Sequence, residues 1–83
     1  MLTLPEIAEL DSLACDLARR SFGGEGMVGL TDCGVVRLTL VRHDDGQGGM
    51  YQVREFAAPT YEVAALEILA GVAALSPLAR RGH

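Results

Sequence analysis

The sequence predicts an α+β fold, a two-layer sandwich in which two helices cover one face of an antiparallel sheet of two or three strands. Apolar residues recur at helical spacing near both ends of the chain, and between them they alternate with polar residues, which is typical of strands. The 83 residues predict one domain, 1–83. Its predicted elements are a helix over 3–21, strands over about 26–31, 35–43 and 50–57, a helix over 60–75, and a short basic tail over 78–83.

The first helix is predicted by its start signal, its stop signal and its apolar stripe. Thr3 and Glu6 have the spacing of a capping box, in which each side chain accepts a hydrogen bond from the other residue's backbone amide. Gly23 and Gly24 end the helix. The stripe recurs every three or four residues and consists of Ile7, Leu10, Leu13, Ala14, Leu17 and Ala18.

Three segments between the helices have the properties of strands. The clearest is 35–43, where the even-numbered apolar residues alternate with their neighbours and are predicted to face the core. The polar, glycine-rich segment 44–49 predicts a hairpin loop, so this strand and 50–57 are expected to be antiparallel. A weaker strand, 26–31, precedes a predicted turn at 32–34.

The last helix, 60–75, contains only two charged residues, Glu62 and Glu67. Its bulky face is predicted to pack on the sheet and consists of Tyr61, Ala65, Ile68, Leu69, Val72 and Leu75. Its smooth face of alanines and Gly71 is predicted to pack on the first helix or on a second copy of the chain. We therefore expect this helix to be almost wholly buried, and its smooth face offers a surface for a homodimer.

Composition excludes several functional classes. Eleven acidic and seven basic residues give a net charge of −4, so the basic footprint of a general nucleic-acid binder is missing. Two cysteines are too few for a disulfide scaffold. The longest apolar run, 63–75, contains Glu67 and is shorter than the roughly twenty residues of a membrane span. No secretory signal is predicted, because Pro5, Glu6 and Glu9 interrupt the first segment, so we expect a cytoplasmic protein with reduced thiols.

The sequence predicts neither a catalytic nor a metal-binding constellation. Cys15, Cys33, His43 and His83 match no zinc spacing. Cys33 and His43 fall at opposite ends of one predicted strand, about 30 Å apart by strand rise, which is too far for a Cys–His dyad. The protein is therefore predicted not to be an enzyme and to need no cofactor.

The predicted acidic surface of the first helix and the hairpin tip is the feature that indicates a function. The first eighteen residues contain four acids and no base, and Asp44 and Asp45 follow at the hairpin tip. Glu9 and Asp16 are two helical turns apart, so they share one stripe of the first helix. We predict that these four carboxylates bind a basic surface of a partner, with Tyr51 as the aromatic anchor. The alternative is a solvated face that only keeps the protein soluble.

Along the chain an acidic first helix is followed by the hairpin of 35–42 and 50–57, and then by an alanine-rich helix that opens at Pro59 and Thr60. In size, charge and layout this order resembles the small phage-encoded anti-CRISPR proteins that act on type I surveillance complexes. The resemblance implies binding to the crRNA-guided complex in the bacterial cytoplasm and blockage of target DNA binding. It rests on no diagnostic motif, so no residue role is carried over from it.

The amino-acid composition is compatible with a bacterial or phage origin. Lysine and asparagine, which have A-rich codons, are absent beside eleven alanines and ten glycines, and this indicates a GC-rich bacterium or its phage. Three other classes stay open: a dimeric regulatory or antitoxin-like module, a small virion assembly protein and, least favoured, an enzyme. A 1:1 complex with a basic partner would favour the inhibitor, whereas a salt-resistant homodimer would favour the regulator.

Overall fold

The computed structural model describes residues 2–44 and 48–75, and of residues 43, 44 and 48–50 it describes the backbone alone. The predicted α+β class is confirmed, and each predicted boundary lies within two residues of the observed one. The predicted tail over 78–83 is outside the described residues. The elements are α1 (Leu4–Phe22), β1 (Glu25–Leu30), β2 (Val36–Asp44), β3 (Gly48–Phe56) and α2 (Tyr61–Leu75).

The three strands form one antiparallel sheet in the order β1-β2-β3, with β2 in the centre. Val28 lies opposite Leu38, and Leu38 lies opposite Arg54, so these side chains share the face that is turned to the helices. The even-numbered residues 36–40 of β2 are buried, as their alternation predicts. The β2–β3 ladder extends to the pairing of Asp44 with Gly48, further than the predicted loop over 44–49 allowed.

Local sequence signals determine where the helices begin and end. Thr3 Oγ1 accepts a hydrogen bond from the Glu6 amide at 3.3 Å, and Glu6 Oε1 accepts one from the Thr3 amide at 2.8 Å, which completes the predicted capping box. Gly23 ends α1 in the left-handed conformation, with φ +70°. Thr60 Oγ1 accepts a hydrogen bond from the amide three residues further on, at 3.3 Å, and so caps α2.

Helix α1 packs closely on β1 because the residues at their contact are small. Gly26 lies under the α1 backbone, where a Cβ atom would sit 2.5 Å from the carbonyl oxygen of Ala14. Ala14 itself is fully buried. Beside this contact, Asp11 Oδ1 accepts a hydrogen bond from the Val28 amide at 2.8 Å. The small residues set the distance between helix and strand, and the Asp11 hydrogen bond fixes their relative position.

Helix α2 is rotated somewhat from the predicted orientation. Ile68, Val72 and Leu75 of the predicted bulky face are buried as expected, but the smooth side also takes part in the core contact. Gly71 is buried against the sheet, where a Cβ atom would lie 3.0 Å from Leu38 Cδ2 and 3.6 Å from Leu40 Cδ1. Leu69 is 46% exposed, so the prediction that it packs on the sheet is wrong, as is the prediction of an almost wholly buried helix. The buried residues of α2 are Ala64, Ile68, Gly71, Val72 and Leu75.

The physical reason lies in the sheet below α2. The bulky side chains of Leu38 and Leu40 already fill the space there, and the small surface around Gly71 lets the helix approach them at normal packing density. Because α2 is apolar on nearly all sides, its periodicity does not determine which face turns inward.

Two arginines on the helix-facing side of the sheet reach α2. Arg42 Nη1 donates to the carbonyl oxygen of Leu75 at 3.3 Å, at the helix end where carbonyl groups lack intrahelical partners. Arg54 Nη2 lies 3.7 Å from Glu67 Oε1. The side chains of this ion pair are more than one third exposed, so it orients α2 and adds little stability.

Candidate functional site

A shallow groove of about 430 Å³ lies on the outer surface of the helix layer, where α1 and α2 meet. The α1 residues that line it recur at helical spacing, and α2 contributes its first residue, Tyr61. The groove therefore brings together two of the carboxylates that the sequence singled out, Glu9 and Asp16, and an aromatic side chain. Its lining residues are Ala8, Glu9, Ser12, Leu13, Asp16 and Tyr61.

The two carboxylates of this groove have different surroundings. Glu9 is exposed, and no other side chain of residues 2–42 or 51–75 forms an ion pair with it. Asp16 Oδ2 lies 3.6 Å from Arg20 Nη2, and Asp16 Oδ1 lies 3.9 Å from Arg19 Nη2. All three of these side chains are more than half exposed, so the pairs are weak and can be exchanged for contacts with a partner.

The other two acids of α1 serve the fold. Glu6 completes the capping box, which the sequence spacing predicts. Asp11 accepts the Val28 amide of β1, and nothing in the sequence indicates a contact between residues seventeen positions apart. The acidic surface is therefore smaller than the sequence pattern indicates, and on α1 it consists of Glu9 and Asp16.

Tyr51, the predicted aromatic anchor, does not lie with these carboxylates. It pairs with Val41 on the face of the sheet that is turned away from the helices, and it is 72% exposed there. Tyr61 occupies the position beside Glu9 and Asp16 instead. The sequence places Tyr61 on the bulky face of the last helix, which is predicted to be buried. That Tyr61 lines the groove became evident only from the orientation of α2 in the structure.

The predicted site at the hairpin tip lies outside the part of the chain that the structure describes. Asp45 is outside the described residues, and the same is true of the side chain of Asp44. The contribution of these two carboxylates to a binding surface therefore stays a prediction.

A second surface of interest is the side of α2 that points away from the sheet, which we call the outer face of α2. Leu66 is 66% exposed and Val63 is 37% exposed, and Leu69 borders them. Two charged residues of α2 adjoin this face: Glu62 in the first turn, and Glu67, whose side chain is 40% exposed and pairs with Arg54. Three further exposed residues complete it: Ala70, Ala73 and Ala74.

A second cavity, of about 270 Å³, opens at one end of the sandwich. Leu2 and Leu30 line it together with the turn residue Gly34 and the residues before α2, and none of its lining side chains is titratable. It can hold an apolar group, but it offers no acid, base or nucleophile. The residues before α2 that line it are Ala57, Ala58 and Pro59.

Chemistry of other kinds has little support in the described part of the chain. Among the described side chains, those of residues 2–42 and 51–75, no group of three His, Cys, Asp or Glu is placed to hold a metal ion. Cys15 is half-buried on α1, whereas Cys33 is exposed in the turn between β1 and β2. Neither described helix combines the length and the apolar character that crossing a membrane requires.

Comparison with known proteins adds no relative. No protein-family model matches the chain, and neither do the curated proteins or the solved structures that were compared with it.

Proposed function

We propose that this chain is a small interaction protein that binds a basic protein surface through the groove between α1 and α2. The observation that supports the proposal is the presence of Glu9, Asp16 and Tyr61 in that one groove. Carboxylates in such a position steer a partner that is rich in arginine or lysine, and an aromatic side chain beside them supplies contact area.

Each groove residue has a distinct part in the proposed contact. Glu9 receives a basic side chain without losing an ion pair within the described residues. Asp16 exchanges its exposed contacts with Arg19 and Arg20 for a contact with the partner. Tyr61 is half-buried and packs on the core, so little of its side-chain freedom is lost on binding.

The resemblance to anti-CRISPR proteins gives this proposal a specific form. RNA-guided complexes hold nucleic acid in positively charged channels, which match a groove lined by carboxylates. In this form the protein binds a type I surveillance complex in the bacterial cell and blocks target DNA by occupying such a channel. The protein itself then contacts protein and not nucleic acid, as its net charge of −4 favours.

The test is a binding titration of a purified type I surveillance complex with two charge-reversal variants. Glu9→Arg acts inside the groove, and Asp32→Arg is the matched control, because Asp32 is exposed in the β1–β2 turn and its reversal changes net charge equally. We expect Glu9→Arg to raise Kd about tenfold at low salt, and Asp32→Arg to change it less than about twofold. The difference shrinks as salt rises, because screening shortens the reach of exposed charges.

A DNA competition completes the test. Added target DNA should displace the protein, and the protein should displace the DNA. Equal losses in the two variants would show that only net charge matters and would overturn the groove as the binding site. Simultaneous binding of protein and DNA would contradict inhibition by occupation of the DNA channel.

A further inference from the structure

We infer that the outer face of α2 binds the same face of a second copy of this chain, with the two α2 helices antiparallel. This inference does not depend on the proposed function, because the groove residues Glu9 and Asp16 lie on α1 and outside the surface concerned. It starts from the exposure of Leu66 and Leu69, which leaves bulky apolar side chains uncovered in a single chain.

The sizes of the side chains along this face support self-association in one orientation. Val63 and Leu66 make the first half bulky, Leu69 lies near the middle, and the second half carries only small side chains, such as Ala73. An antiparallel pair places Leu66 of each copy opposite Ala73 of the other, so that large residues fill the spaces above small ones. A parallel pair would place Leu66 against Leu66 and leave a gap between the alanines.

Charge also favours the antiparallel pair. Glu62 lies in the first turn of α2, at one end of the outer face, whereas Glu67 lies at the edge of this face and pairs with Arg54. Parallel pairing would place the two Glu62 carboxylates together, whereas antiparallel pairing separates them to opposite ends of the contact.

The size of the face determines how tight the dimer is. The 15 residues of α2 form a helix about 22 Å long. A contact along one helix of this length is smaller than the roughly 800 Å² per partner of a standard interface. We therefore expect a weak dimer that forms as concentration rises, and an apolar contact whose strength changes little with salt.

The first experiment measures molar mass by light scattering and sedimentation over a wide concentration range. The wild-type mass should rise towards twice the 8.8 kDa of the chain. Leu66→Glu should weaken dimerisation at least about tenfold. Met27→Glu is the matched control, because Met27 is equally apolar and half exposed but lies on the opposite face of the sheet, and it should leave the dimer intact.

The second experiment tests orientation by disulfide cross-linking in a Cys15→Ser, Cys33→Ser background. Chains with Leu66→Cys mixed with chains with Ala73→Cys should form the mixed disulfide several times faster than either forms its own. Faster formation of the Leu66→Cys homodimer would overturn the antiparallel arrangement.

Two further results would overturn the second copy as the occupant of this face. One is a mass of 8.8 kDa at all concentrations, including the millimolar range. The other is a dimer that Met27→Glu weakens as much as Leu66→Glu does. If a monomeric protein lost binding to the surveillance complex through Leu66→Glu, the face would belong to that partner.

Discussion

The backbone amide of Val28 in β1 donates a 2.8 Å hydrogen bond to Asp11 Oδ1 on α1. This amide points away from β2, so without Asp11 it would lie on the open edge of the sheet. The contact thus satisfies a strand-edge donor and attaches the first helix to the first strand. An acid that the sequence assigns to the surface is therefore part of the fold.

The first prediction concerns this hydrogen bond. Asp11→Ala should lower the free energy of unfolding by about 1–3 kcal/mol, because a partly buried amide loses its acceptor. Asp11→Asn keeps an acceptor oxygen of the same shape and should cost clearly less. Urea titrations of both variants measure the difference, and equal losses would show that the hydrogen bond is not the stabilising element.

The second prediction concerns the close contact of α1 with β1. Gly26→Ala should destabilise the protein by about 1–3 kcal/mol, because the added methyl group overlaps the Ala14 carbonyl. Gly29→Ala is the control within the same strand: a Cβ there meets no atom within 4 Å, and the change should be neutral or slightly stabilising. A thermal or urea unfolding series compares them. Tolerance of alanine at both positions would mean that α1 lies further from β1.

The third prediction compares neighbouring residues of α2. Ile68 is fully buried and Leu69 is 46% exposed. Ile68→Ala should cost about 2–5 kcal/mol, as for a buried aliphatic residue. Leu69→Ala should cost less than about 1 kcal/mol in the monomer. Denaturant titrations at low protein concentration separate the two, and the reverse ranking would mean that α2 is rotated so that Leu69, and not Ile68, faces the core.

The sequence predicted the features that depend on local signals. The capping box of Thr3 and Glu6, the stop at Gly23 and the alternation in β2 each involve residues a few positions apart, and each is present. The orientation of α2 was not predictable in this way, because both of its sides are apolar and only the shape of the sheet at Leu38 selects one of them.

The candidate site was predictable only in part, for the same reason. The stripe that joins Glu9 and Asp16 follows from helical spacing alone. Their proximity to Tyr61, and their separation from Tyr51, depend on how the layers pack. No local signal carries that information, so the sequence did not show that Tyr51 and the two carboxylates lie on different faces of the molecule. The role of Tyr51 as an anchor stays a prediction.

The fourth prediction concerns a buried polar atom. Gln52 lies opposite Leu40 on the helix-facing side of the sheet, and its Oε1 is buried without a hydrogen-bond partner among the described residues. Burying an acceptor without a donor costs free energy, whereas an apolar side chain of the same shape does not carry that cost. Gln52→Met keeps the length of the side chain and removes the polar atoms, so it should raise the free energy of unfolding by about 1 kcal/mol.

Gln52→Glu is the informative companion variant, since it puts a charge at the same position and should destabilise the protein more than any neutral replacement. Urea titrations at neutral pH give both values. A loss of stability in Gln52→Met would show that the amide makes a hydrogen bond that the folded protein needs. In that case the helix-facing side of β3 at Gln52 would make a polar contact and would not belong to the apolar core.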